Sequence, residues 1–168
     1  IEHAWHWAVA QGANGLLAQS CQGWDAFYYC TNLLEKGKQM FATAIAVTQQ
    51  QLTTAVTETV TNTLEVTLAA LLCAQSHLWI AQKAYETGST VAQQAVALAR
   101  KQNVPKLVAK GIYLWGVGLS SVGEYARAEQ QLTVTLALAR TTEQQNLVIL
   151  TLVRLASLAE YQAHYPVA

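Results

Sequence analysis

The sequence predicts an all-α fold of antiparallel helix pairs joined by tight turns. Three observations carry this. Apolar residues recur at helical spacing along almost the whole chain, and no window alternates as a strand would. Prolines are confined to Pro105 and Pro166. Turn-forming residues punctuate the periodic stretches at Gly12–Gly15, Asn32, the Thr-rich segment 53–63, Gly88, Asn103–Pro105, Gly123 and Pro166.

Between these marks the spacing predicts helices over 2–11, 15–31, 34–49, 62–86, 89–102, 105–121, 124–140 and 143–162. The first is a short Trp-bearing helix ending at Gly12. The second stops at Asn32, a residue that tolerates the left-handed conformation of a helix C-terminus, and "LLEKGKQMF" opens the third. A Gln/Thr-rich insertion, "QQQLTTAVTETVTNT" at about 49–63, precedes the fourth; its own conformation is left open by its composition. Gly88 is expected to be the turn residue before "STVAQQAVALAR". The strongest turn signal is at Gly123: "YLWGVGLSSVG" puts Gly where a left-handed residue costs least, and Glu124 supplies an acid at the next helix start. The last helix runs towards "HYPVA".

A chain of 168 residues suits one domain with a sizeable core. Hydrophobic residues make up 52% and charged residues 12%, with Gln, Thr and Ala filling the polar and small positions. That composition fits helices whose apolar faces all meet neighbours, or a fragment whose ends normally touch more protein. "IEHAWHWAV" at the start reads as the middle of a longer protein. Formal net charge is zero and Arg100-Lys101 is the only adjacent basic pair, so no electrostatic footprint for nucleic acid or an anionic membrane is expected. No apolar run reaches about 18 residues without a polar break, which argues against a membrane span. Cys21, Cys30 and Cys73 form no CxxC pair. Cys21 and Cys30 stand roughly 13 Å apart along one helix, too far to pair. Reduced, buried thiols in a cytoplasmic protein are the expectation.

The turn residues 32, 88 and 123 test for a repeat. The second interval is 35 residues; the first is 56, and the insertion accounts for the excess. Counting from Gly123, Trp115 and Gly116 precede the turn by eight and seven positions, and Tyr125, Ala128, Leu132 and Thr135 follow at two, five, nine and twelve. From Asn32 the same places hold Trp24, Asp25, Leu34, Gly37, Phe41 and Ala44. Small residues at these places let helices cross closely, and large ones fill the gaps between layers. From Gly88 the match is partial: Pro105 falls seventeen on, but Ala92, Val96 and Ala99 fit only if the turn is one residue short. The pattern resembles that of tetratricopeptide repeats, whose period is about 34 residues. The resemblance covers about 15–162, as units 15–49, 62–104 and 105–140 and a half unit 143–162. It implies a superhelix of right-handed, stacked antiparallel helix pairs.

The N-terminal stretch carries a narrower resemblance. Trp5, Trp7, Gly12, Phe27, Tyr28, Glu35, Phe41 and Ala44 form a Trp helix, a Gly turn, a helix ending in aromatics, and a near "EG" followed by Phe and Ala. This is similar to the segment that follows the nucleotide-binding and winged-helix domains in bacterial signal-transducing (STAND) NTPases of the AfsR/LuxR type. Lys36-Gly37 departs slightly from Glu-Gly. The "LALAR" ending at 136–140 and the related 96–100 also occur in their long repeats.

Motifs for chemistry are sparse, and the chain is expected not to be an enzyme and to carry no cofactor or metal. There is no GxxxxGK[ST] phosphate loop. Gly116-Val117-Gly118 is read as a pair of helix-packing glycines. His3, His6 and Glu2 can share a helix face, as can Cys73 and His77 at i, i+4, but neither set reaches the ligand count of a metal site; His77 is read as a satisfied interior histidine. Ser120-Ser121 with Glu124 is closer to an N-cap signal than to a nucleophile, with no His placed to activate either serine. Trp5, Trp7, Trp24, Trp79 and Trp115 suit packing between helices.

If the chain follows the tetratricopeptide resemblance, a concave face lined by the first helix of each pair is its binding surface. The resemblance places Gln19, Gln22, Ala26, Tyr29 and Cys30 there from the first unit, Gln75, Leu78, Gln82 and Tyr85 from the second, and Lys110, Tyr113, Val117, Ser120 and Ser121 from the third. This lining of amides, hydroxyls and aromatics with one cation can hydrogen-bond a polar ligand. The implied function is a binding module for a protein, peptide or small effector, attached to an NTPase in a parent signalling or transcription-regulating protein. The competing expectation is a helical scaffold that self-associates.

Overall fold

The computed structural model describes residues 2–164. They form α1 (Glu2–Ala10), α2 (Asn14–Cys30), α3 (Leu34–Thr54), α4 (Glu58–Ala81), α5 (Tyr85–Lys101), α6 (Pro105–Ser121), α7 (Tyr125–Thr141) and α8 (Gln145–His164). Among the described residues there is no strand. Pro166 lies outside them. The fold class predicted from periodicity is therefore the one observed.

One turn recurs throughout. Gly12, Asn32, Lys83, Asn103, Gly123 and Glu143 all have φ between 52° and 86°. At each, the amide of this residue donates to the carbonyl three residues back, and the next amide to the one five back: Asn32 to Tyr29 and Leu33 to Tyr28, or Glu143 to Arg140 and Gln144 to Ala139. These N···O distances are 2.9–3.3 Å. This pair of hydrogen bonds satisfies the last carbonyls of one helix while the following residue already opens the next.

The expected role of Gly88 is corrected. It lies inside α5 and is buried, and Lys83 makes the turn instead. Helix α4 ends at Ala81 and α5 begins at Tyr85, so the predicted boundaries 62–86 and 89–102 shift. The turns at 83, 103, 123 and 143 are then twenty residues apart, and one helix pair spans forty residues rather than thirty-five. Counted from Lys83, Tyr85, Gly88 and Ala95 stand at two, five and twelve, while the ninth place holds the small Ala92 where the other units have Leu132 and Phe41, and a forty-residue unit departs from the tetratricopeptide period of about 34. Gly88 is the small residue at the crossing. A Cβ there would lie 2.6 Å from Ile80 Cγ1 and 3.2 Å from the Ser76 carbonyl oxygen. The Ser76 hydroxyl donates to the Gly88 carbonyl at 2.8 Å, locking α4 to α5.

Lys83 and Glu143 carry side chains in a conformation that disfavours them by about 1–2 kcal/mol. Glycine relieves that strain but loses more chain entropy, about 0.5–1 kcal/mol. Lys83→Gly and Glu143→Gly are each expected to raise stability by about 0.5–1 kcal/mol, read from urea midpoints at constant slope.

The Gln/Thr-rich insertion is mostly helix. It extends α3 to 21 residues and α4 to 24, against 17 for α2, α5, α6 and α7, leaving only 55–57 outside. The extensions amount to about one turn and about two turns, so both helices keep their buried faces in phase. The longer α3 reaches the α1–α2 turn, where Asn14 Nδ2 donates to Gln51 Oε1 at 3.2 Å.

Helices α2, α4, α6 and α8 touch one another in succession and make one row. Helices α3, α5 and α7 pack outside it, each bridging two members of that row. Tyr28, Phe41, Leu71, Leu78, Ile112 and Leu132 are fully buried between the rows. Helix α4 is long and apolar enough, by composition alone, to cross a membrane, but 72% of its most apolar window is buried within the fold. Its apolarity is accounted for by its place between α2, α3, α5 and α6. In α6, Gly118 faces the first turn of α5 so closely that a Cβ would lie 3.2 Å from the Tyr85 carbonyl oxygen, which fits the helix-packing reading of 116–118.

Candidate functional site

A groove of about 720 Å³ opens on the row of even-numbered helices. Helix α2 contributes Gln22, Asp25, Ala26, Tyr29 and Cys30, and α4 contributes His77. Helix α6 contributes Lys106, Lys110, Tyr113 and Leu114. The α7–α8 turn and the start of α8 close the far side with Glu143, Gln144, Gln145, Asn146, Leu147 and Leu150. The recurring turn explains this geometry: it sets each inner helix beside the last, so residues about forty apart meet on one wall.

At the floor lies a charged cluster that joins three helices. Asp25 is only 5% exposed. One carboxylate oxygen lies 2.7 Å from His77 Nδ1, and the other accepts from Lys110 Nζ at 3.3 Å. The acid occupies the place that Ser76 and Gly116 hold in the next two units, the small-residue position where helices cross. That position explains its burial, and burial explains why it needs two polar partners. Tyr29 stacks on His77 with centroids 4.9 Å apart and an interplanar angle of 29°. The His77 and Lys110 side chains stay about a third exposed, so both present polar faces to the groove.

The binding residues expected from sequence divide. Gln22, Ala26, Tyr29, Cys30, Lys110 and Tyr113 line the groove together. Gln19 lines a second cavity, of about 730 Å³, beside Glu2, His3 and Trp24. Gln75 is half-buried on α4 and outside the groove lining. Gln82 caps α4 and donates to Glu35 Oε2 at 3.5 Å. Tyr85 belongs to the outer helix α5, because α4 stops earlier than its periodicity suggests. Val117 is 4% exposed and part of the core, as Leu78 is. The Ser120 and Ser121 hydroxyls donate back to the Val117 carbonyl at 2.8 and 2.9 Å, so neither caps the next helix.

Asp25, His77, Lys106 and the 143–146 segment were not picked out as groove residues. For Asp25 a signal existed: an acid at a position that is otherwise small. For 143–146 none did, because Glu143 is an unusual residue for a left-handed turn.

Burial pushes the Cys21 thiol up to about 12 and that of Cys73 up to about 11, against the lowering effect of Lys110 nearby. Cys30 is exposed on the groove wall, which overturns the expectation of a buried thiol and agrees with its expected place on the inner face. A maleimide should therefore modify one thiol per folded chain quickly, and the other two only after denaturation. Fast labelling of Cys21 or Cys73 in the folded protein would contradict this. His77 is held by Asp25 rather than paired with Cys73, and among the described residues no three His, Cys, Asp or Glu side chains converge as a metal site.

No family model matches this chain, and neither a curated protein nor a solved structure shows significant similarity to it.

Proposed function

We propose that the groove is the binding site of a non-catalytic module that takes an extended peptide segment, or a polar small effector of similar chemistry. The observation that supports this most is the composition of the two sides of the groove. Four side-chain amides, Gln22, Gln144, Gln145 and Asn146, surround a floor that carries Asp25, His77 and Lys110. An amide side chain both donates and accepts, so it matches a peptide group whatever the sequence. Tyr29 and Tyr113 add rigid apolar surface with a polar tip, at little entropy cost on binding. Pre-formed grooves of this size are typical of ligand sites.

The wider proposal follows the sequence resemblances: a tetratricopeptide-like sensor or interaction region of a cytoplasmic bacterial signalling protein with an attached NTPase. A ligand can throw such a switch only by binding its two states unequally. The sequence upstream of Ile1 tests this part, and a phosphate loop followed by a winged helix there would support it. The groove itself is tested by thermal shift with pooled blocked tetrapeptides. Hits are expected to raise Tm for the native chain and to lose that effect in Tyr29→Ala/Tyr113→Ala. Hits that stabilise the double variant equally would exclude the groove.

A further inference from the structure

The floor of the groove sets a hydrogen-bond acceptor beside a donor. His77 and Lys110 are bound to the two oxygens of one carboxylate, that of Asp25. Their remaining polar atoms therefore stand next to each other, in a groove that both residues line. An ionised carboxylate only accepts. In the neutral imidazole the proton then belongs on Nδ1, 2.7 Å from Asp25 Oδ1, and the lone pair on Nε2. Among the described residues Nε2 has no partner, and it is not buried. Lys110 Nζ donates one N–H to Asp25 at 3.3 Å and has two more. Tyr29, stacked on the imidazole at 4.9 Å between centroids, holds the ring plane. Flipping the ring within that plane would put a carbon against the carboxylate oxygen and lose the 2.7 Å contact.

An acceptor beside a donor discriminates between ligand groups. A carboxylate offers acceptors only, so one oxygen would face the Nε2 lone pair, with the charge of Asp25 beneath it. An ammonium offers donors only and would face Lys110. A single trans peptide group points its N–H and C=O to opposite sides. A primary carboxamide carries its oxygen and one N–H on the same edge, so it can donate to Nε2 and accept from Nζ at once. An extended residue can also turn its own N–H and C=O to one side, and a peptide without the side-chain amide separates that case.

We propose that His77 Nε2 and Lys110 Nζ anchor a primary carboxamide of the ligand, the side chain of a Gln or Asn residue in a bound peptide. This rests on the groove being the binding site, and it adds which side chain the site selects. Gln22, Gln144, Gln145 and Asn146 are then left for the peptide backbone, which they can meet whatever its sequence.

Titration of the whole chain at about pH 8 with N-acetyl tripeptide N-methylamides tests this. The methylamide block keeps a second primary carboxamide out of the probe. One set is Ala-Gln-Ala, Ala-Glu-Ala and Ala-Met-Ala; the shorter set is Ala-Asn-Ala, Ala-Asp-Ala and Ala-Leu-Ala. The better carboxamide peptide should bind about tenfold more tightly than its acidic and its apolar counterparts. In His77→Asn, whose amide can still donate to Asp25, that margin should vanish while circular dichroism shows the chain folded. Imidazole 15N shifts of the free chain should report a proton on Nδ1 and none on Nε2. A proton on Nε2 in the free chain overturns the proposal. Equal affinity within a set, tightest binding by the acid, or a margin that survives in His77→Asn also overturns it, and groove shifts on binding would then leave the groove reading standing. No binding by any of the six peptides at millimolar concentration overturns the anchor and the groove reading together.

Discussion

Lys110→Met is expected to cost more stability than Asp25→Ser, although both break the same ion pair. The lysine side chain is 28% exposed and the aspartate side chain 7%. Removing the lysine leaves a buried carboxylate held by His77 alone of the two; that is the expensive side of a broken pair, and about 2–4 kcal/mol is expected. Removing the aspartate leaves Lys110 and His77 facing a wet groove, where water replaces the lost acceptor. Serine also matches the residue at this place in the next unit, Ser76. About 1 kcal/mol is expected there. The double variant should recover most of the Lys110→Met loss, giving a coupling well above the 0.3–0.5 kcal/mol scatter of independent sites. For a chain of this size each kcal/mol is about 2–4 °C in Tm, so the ranking is measurable by calorimetry. Additive losses would mean that the cluster holds nothing together.

The second large effect concerns Gly88. Gly88→Val should lower stability by about 2–3 kcal/mol, because its Cβ meets Ile80 and the α4 backbone at once. Gly88→Ala brings the same Cβ, 2.6 Å from Ile80 Cγ1 and 3.2 Å from the Ser76 carbonyl oxygen, and should cost about 1 kcal/mol even after the gain of about 1 kcal/mol in helix propensity. At Gly123 the cause is different. Its φ is +86° and nothing lies within 4 Å of an added Cβ, so alanine there is strained without being crowded and should cost about 1 kcal/mol. The loss at Gly88 should therefore couple to Ile80→Ala in a double-mutant cycle and the loss at Gly123 should not; a Gly88→Ala loss independent of Ile80 would contradict a crossing role for Gly88 and with it the forty-residue unit.

These two cases show what was legible in the sequence. Helical periodicity, the turns at Asn32 and Gly123, and the packing residues Tyr125, Ala128, Leu132 and Phe41 could all be read, because each depends on local spacing. The turns at Lys83 and Glu143 could not. A helix terminus can hold any residue left-handed when the double hydrogen bond and packing support it, and neither side chain advertises that. Misplacing one turn by five residues made a crossing glycine look like a turn glycine, shortened the apparent period, and carried Tyr85 onto the wrong helix.

Part of the groove was legible for the same reason. Gln22, Tyr29, Lys110 and Tyr113 lie in regions where the register had been read correctly. The Asp25–His77–Lys110 cluster joins positions 52 and 85 residues from its acid, a distance that no local pattern spans. His77, read as a satisfied interior histidine, is partnered by Asp25 of α2, with about a third of its side chain left exposed. Only the stacking of inner helices brings these three groups together.

The most direct test of the groove is amide and side-chain NMR mapping with the tetrapeptide pool. Binding at the groove predicts shifts confined to Tyr29, His77, Lys110, Tyr113 and residues 144–146, abolished in Tyr29→Ala/Tyr113→Ala. Shifts centred on the α1–α2 cavity or the outer face of α8, or none at millimolar peptide, would contradict it.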